Sequence, residues 1–179
     1  EIVQVYTRAR ELASQIGRAG ELFKAVWGQS LVATVGGDLP AARRLTDELF
    51  DIAQRQNDTG LLLQAHHAAW SPVMTSGDFV AARKHVEAGL NLYQRNIHGQ
   101  HAHMFGGHDP GMCAYTFGAQ IACILGHADE SIRKADQALA LARDLAHPPT
   151  IVGALVDAAD IRVFRREPLA VEEILRSLL

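Results

Sequence analysis

The heptapeptide Gly37-Asp38-Leu39-Pro40-Ala41-Ala42-Arg43 returns forty residues later as Gly77-Asp78-Phe79-Val80-Ala81-Ala82-Arg83, and more loosely as Gly126-His127-Ala128-Asp129-Glu130-Ser131-Ile132. A unit that recurs at a fixed period cannot bury its apolar face alone and must stack on its neighbours, which restricts the chain to a repeat array. Glycine supplies the backbone that ends one helix, and Asp38 or Asp78 caps the next. The small residue five places after each glycine (Ala42, Ala82, Ser131) lets two helices approach closely. The fold expected is all-α, an α-solenoid of antiparallel helix pairs repeating every ~40 residues, with 1–179 forming one domain.

Apolar spacing of three and four, with caps and breakers between the runs, predicts helices over 1–17, 20–35, 39–56, 59–76, 79–95, 110–125, 129–145, 148–165 and from 168 onward. The 110–125 helix opens on Asp109-Pro110 and the 148–165 helix on Pro148-Pro149, each placing proline in the first turn. The long interruption, 96–109, is rich in Gly and His and reads as a loop. No alternating run of strand length competes. Glu1 begins at once in a helical pattern and the last helix is still in phase at Leu179, so the array is expected to continue beyond both ends.

A hydrophobic content of 48% suffices for a continuous core. The net charge of −3 lacks the basic surplus that drives nucleic-acid binding, so no nucleic-acid partner is expected. No apolar stretch approaches the ~20 residues of a membrane span, and no basic-then-apolar leader opens the chain. Cys113 and Cys123, ten apart in one apolar helix, suit a reducing compartment, and a cytoplasmic location is the expectation. Both read as core-filling thiols.

Leu-Gly-Asp-aromatic turns followed by a small residue are the crowded points of a tetratricopeptide repeat, and Ser76-Gly77-Asp78-Phe79 with Ala82, and Leu125-Gly126 with Ser131, follow that scheme, although the period of ~40 exceeds the usual ~34 and leaves a HEAT-like array as the minor alternative. Trp70 stands where a small residue is normal. The ordered series Ala65-His66, Gly77-Asp78-Phe79-x-Ala81-Ala82-Arg83-x-His85-x-Glu87, Leu92-Tyr93, His108-Asp109-Pro110-Gly111, Leu125-Gly126, Ala138-Leu139-Ala140-Leu141-Ala142-Arg143, His147-Pro148 and Arg165-Arg166-Glu167 spans nearly the whole chain. In this order it resembles the tetratricopeptide tail of bacterial multidomain signalling ATPases, often fused to a class III adenylate or guanylate cyclase domain. The resemblance implies a parent that hydrolyses or cyclises ATP. Departures are Ala69-Trp70 for the family's small Leu-Gly pair and His127-Ala128 for its aromatic-proline pair.

Nothing in these residues could perform that chemistry: no phosphate loop, no dinucleotide turn and no paired metal-binding aspartates are present. The segment itself is therefore expected to be non-catalytic and to need no cofactor. In a solenoid of hairpins the first helix of each pair lines the binding groove. Counting from the turns places Lys24, Trp27, Thr34, Gln64, His67, Met74, Thr116, Gln120 and Asp160 there, with Arg43, Arg44, Asp47, Arg83, Lys84, Glu87, Arg133, Lys134 and Asp136 on the opposite, solvated face. His98, His101, His103 and His108 are weak metal candidates, since flexible imidazoles can converge on one ion but their spacing matches no zinc pattern. A polar surface loop with Asp109 as a helix cap is the plainer reading of them.

Two functions stay open. One is a regulatory module that binds a protein or peptide partner, or a second copy of itself, through the groove. The other is a small-molecule sensor regulating an attached ATPase or cyclase, its ligand enclosed near Trp70, Met104, Phe105 and Tyr115. The uncovered outer faces of the first and last helices, with Ile2, Tyr6, Leu175 and Leu178, are expected to promote self-association.

Overall fold

The computed structural model describes residues 1–177, and within them the chain is all-helical with no strand. Its helices are α1 (Ile2–Ile16), α2 (Ala19–Val35), α3 (Leu39–Gln56), α4 (Thr59–Thr75), α5 (Phe79–Leu92), α6 (Arg95–His98), α7 (Pro110–Ile124), α8 (Ala128–Leu145), α9 (Pro148–Phe164) and α10 (Pro168–Arg176). A 3-10 turn, Gly99–His103, follows α6. The stretch expected to be one loop thus holds two short helical turns, and α5 stops at Leu92 rather than near 95.

One turn recurs four times. Gly37, Gly77, Gly126 and Arg166 are left-handed, with φ of 79°, 86°, 85° and 58°. The next residue, Asp38, Asp78, His127 or Glu167, donates its backbone N–H five residues back, to Ala33, Val73, Ala122 or Arg162. The left-handed residue itself donates three back. This double bond satisfies carbonyls that the helix end would otherwise leave bare. Asp38 and Asp78 then cap α3 and α5 by accepting from Ala41 N (3.0 Å) and Ala81 N (2.9 Å). A second turn joins one hairpin to the next, with Gly17, Asn57 or Ala146 left-handed at φ 68°, 50° and 51°.

Contacts divide the chain into two units: 1–92 with 104–106, and 93–103 with 107–179. In the first, each helix packs on its successor, and α2 also touches α4. Ala42 and Ala82, the small residues five places after the glycines, are fully buried. Phe23, Val26, Trp27, Leu49, Ile52, Ala53, Ala65 and Phe105 form the core, each large side chain contributing about 1.5–3 kcal/mol on burial. Phe105 meets Phe23 and Trp27 edge-on at centroid distances of 5.9 and 5.5 Å. Trp70 is fully buried, and the space it needs comes from α5: a Cβ on Gly89 would lie 2.9 Å from Trp70 Cζ3. Gly89 on α5 thus leaves the room that Trp70 of α4 takes up.

The second unit follows the same rule, α7 through α10 packing in succession and α7 also touching α9. Its interior is alanine-rich: Ala138, Ala142 and Ala154 around Met112, and Ala119, Ala135 and Ala158 around Ile161. Ser131 is fully buried at its joint, the third small residue of the repeat. Gly111 makes room for Tyr93, whose ring would sit 2.6 Å from an added Cβ. No described helix is long and apolar enough to cross a membrane.

Candidate functional site

In the first unit α2 packs on both α1 and α3, and the three helices surround a gap. A cavity of about 620 Å³ occupies the gap, within the ~300–1,000 Å³ range of ligand sites. Val3 and Tyr6 of α1, Val32 and Ala33 of α2 and Leu45 of α3 line it with apolar surface. Tyr6 lies flat against α2 at Gly28, where any Cβ would overlap its ring. Across the cavity Arg10 donates two bonds to the Glu48 carboxylate, both 2.8 Å, and a third to Gln29 Oε1 at 3.0 Å. Arg44 stands exposed on the rim without an ion-pair partner among the described residues. A smaller groove of about 390 Å³ lies between α3 and the end of α4, lined by Pro40, Arg43, Asp47 and Val73.

The nine residues expected in a first-helix groove are dispersed. Trp27, Gln64 and His67 come together, but in the interior. The Trp27 indole N–H donates to the Gln64 carbonyl at 3.2 Å, Gln64 Oε1 bonds His67 Nδ1 at 2.9 Å, and the His67 ring lies between Trp27 and Trp70 at 5.4 and 4.8 Å. These residues hold α2 to α4. Lys24 is half-buried and paired with Glu21, Thr34 turns back to the Ser30 carbonyl at 2.8 Å, and Met74 is half-buried. In the second unit Thr116 is buried and donates to the Cys113 carbonyl, Gln120 reaches Asp157 at 3.4 Å, and Asp160 is exposed. Burial raises the Asp157 carboxyl above its usual range, Asp160 adding to the effect.

The four loop histidines do not converge: no three of them bring ligand atoms together. His98 is buried, its Nδ1 accepting from the Gln94 backbone N–H at 2.9 Å, and its ring meets His101, also buried. His103 is exposed against His147, and His108 is half-buried. Nearby Asp109, almost fully buried, caps α7 by accepting from Met112 N at 2.8 Å and takes the Tyr93 hydroxyl at 3.0 Å. Its own N–H donates to Thr150 Oγ1, which also bonds His147 Nδ1. Burial raises the Asp109 carboxyl, and burial beside Asp109 raises the Tyr93 phenol. Asp109, Tyr93, Thr150 and His147 all bond within the second unit, so the network latches the start of α7 to the start of α9.

Among the residues expected near an enclosed ligand, Phe105 and Trp70 are buried core and Met104 is exposed. Tyr6 was expected on the uncovered face of α1, and it instead lines the cavity against α2. The exposed row of α1 is Ile2, Val5, Ala9, Leu12 and Ile16. Leu175 is 47% exposed, and Leu178 lies outside the described residues. No protein-family model and no curated protein matches this chain.

Proposed function

We propose that this chain is a tetratricopeptide-type interaction module that binds a protein segment and carries no catalysis of its own. The observation that carries the reading is the α1/α2/α3 cavity: apolar walls, an Arg10–Glu48 bridge and the exposed Arg44 at the rim. That combination suits an apolar side chain followed by a carboxylate, presented on a helix or an extended peptide. The four repeated turns support the repeat assignment, and the resemblance to the tails of signalling ATPases supports a regulatory or scaffolding place beside an ATPase or cyclase domain. A small-molecule sensor is the second reading, favoured by the cavity's volume alone.

Selection of peptides from a random display library on the purified chain tests this. The expected binders carry an apolar residue next to an acidic one and lose at least about tenfold in affinity on Leu45→Asp or Arg44→Glu, since an unpaired or repelled charge in such an interface costs more than ~1.4 kcal/mol. Binders indifferent to both changes but weakened by Lys24→Glu or Asp160→Lys would move the site to the first-helix side. Turnover of ATP by a sample freed of contaminating ATPases would overturn the non-catalytic reading.

A further inference from the structure

Arg44 of α3 lines two recesses at once. On one side is the α1/α2/α3 cavity, and on the other the groove between α3 and the end of α4. The two open beside one exposed side chain and are separated by the body of α3. Leu39, Pro40, Pro72 and Val73 give the groove apolar walls, as the cavity has. Its hydroxyls are already used, Thr46 on the Arg43 carbonyl at 2.8 Å and Ser76 on the Val73 carbonyl at 2.7 Å. We infer that one extended segment of a partner protein crosses α3, seating one apolar side chain in the cavity, a second in the groove, and a carboxylate on Arg44 between them. The crossing rests on the reading of the cavity as a peptide site, and adds to it a second anchor, a spacing and a backbone form.

The spacing follows from the width of the helix that is crossed. An α-helix with its side chains is roughly 10–12 Å across, so the two anchors must stand about that far apart on one face of the segment. A polyproline II backbone rises about 3.1 Å per residue with three residues per turn, which puts side chains i and i+3 on one face roughly 9 Å apart. A β-strand turns i and i+3 to opposite faces and offers only about 7 or 13 Å on one face. A second helix laid across α3 would touch it at the crossing point and hold its own flanks off both recesses, whereas a narrow extended chain follows the curve.

Pairing sets the charge along the crossing. Glu48 is held by Arg10 at 2.8 Å, and Asp38 accepts from the Ala41 N–H at 3.0 Å. Arg43 and Arg44, both exposed, have no ion-pair partner among the described residues, and Asp47 is the only carboxylate among those lining the groove. Two unpaired guanidinium groups against one unpaired carboxylate select an acidic residue for the middle of the segment. The second unit supplies a contrast. Counted from the turns, Arg133 stands where Arg44 does and Arg162 where Val73 does, and Arg162 is paired with Glu167 and Asp136 at 2.8 and 3.7 Å. The groove there meets a ligand with charge and offers no equivalent apolar anchor.

Peptides selected from a display library on the purified chain, keeping those that Leu45→Asp weakens, test the crossing. The expected set carries two apolar residues three apart with Asp or Glu between them. Alanine at either apolar position, and Val73→Asp in the chain, should each weaken binding at least about tenfold, while Arg133→Glu leaves it unchanged. Circular dichroism checks that Val73→Asp stays folded. A benzophenone in place of the second apolar residue needs no variant and should label Val73 or its neighbours in the groove. Tolerance of alanine at that second position, or labelling elsewhere, would overturn the second anchor and leave the cavity reading standing. Apolar residues seven apart would overturn the extended form. If no selected peptide responds to Leu45→Asp, the cavity reading fails and the crossing falls with it.

Discussion

Replacing Gly89 by alanine puts the helix-pairing argument at risk most directly. In an exposed helix the change stabilises by about 0.5–1 kcal/mol, because glycine loses more backbone freedom on folding. At Gly89 the new Cβ would stand 2.9 Å from Trp70 Cζ3 and 3.7 Å from Leu63 Cδ1. Ordinary contact begins near 3.4 Å, so Trp70 or α5 must move by about half an ångström. Trp70 is fully buried and has no solvent to swing into. Overpacking of this kind costs about 1–3 kcal/mol, leaving a net loss of about 1–2 kcal/mol and a fall of several degrees in Tm. Both tryptophans of the chain, Trp27 and Trp70, lie in the first unit, so a fluorescence-detected melt follows that unit. A Tm equal to or above that of the unaltered chain would show that α4 and α5 are not held at the spacing that Trp70 and Gly89 imply.

Ala82→Trp, at a fully buried joint, should cost at least ~1–3 kcal/mol by the same melt. Ser131→Ala should be neutral or stabilising by up to ~1 kcal/mol in a urea titration followed by circular dichroism, since its buried hydroxyl has no hydrogen-bond partner among the described residues. Asp109→Ala strands the Tyr93 hydroxyl and the Met112 N–H, and a loss of at least ~2 kcal/mol in the same titration is expected. His66, part-buried and bonded ring to ring with His85 at 3.0 Å, is harder to protonate folded than unfolded, so its contribution is present above pH 6.5 and is lost as pH falls toward about 4. The fluorescence-detected Tm should decline over that window, and decline less in His66→Gln.

The helices were legible because their ends carry chemistry. Asp38, Asp58, Asp78 and Asp109 each accept a backbone N–H from the first turn of the helix they precede. The fourth copy of the hairpin turn was not recognised as a repeat because Arg166 occupies the left-handed position that glycine holds elsewhere. The short turns over 95–103 carry no apolar period and are held by contacts such as Arg95 with Asp144 at 3.1 Å, remote in sequence. The site was less legible for a geometric reason. Residues one hairpin apart can be assigned to a first or second helix from the turns, but whether the gap opens on one side depends on how far neighbouring helices splay. Trp27, Gln64 and His67 look like an exposed polar and aromatic lining in sequence, whereas each satisfies another in the interior. The His66–His85 pair links residues nineteen apart on separate helices, and only folding reveals it.

The matching hairpin turns at Gly37 and Gly77 make the stretch between them a length that can be repeated. The segment 38–77 begins on a helix capped by Asp38 and ends on the same pair of backward hydrogen bonds that precedes it. A second copy of 38–77 spliced after Gly77 would therefore meet a compatible backbone at both seams, and alternation of helix roles would continue unbroken. An insertion of half that length would exchange first helices for second and present every apolar stripe to the wrong neighbour. Length can therefore be added or removed without mispairing only in whole helix pairs.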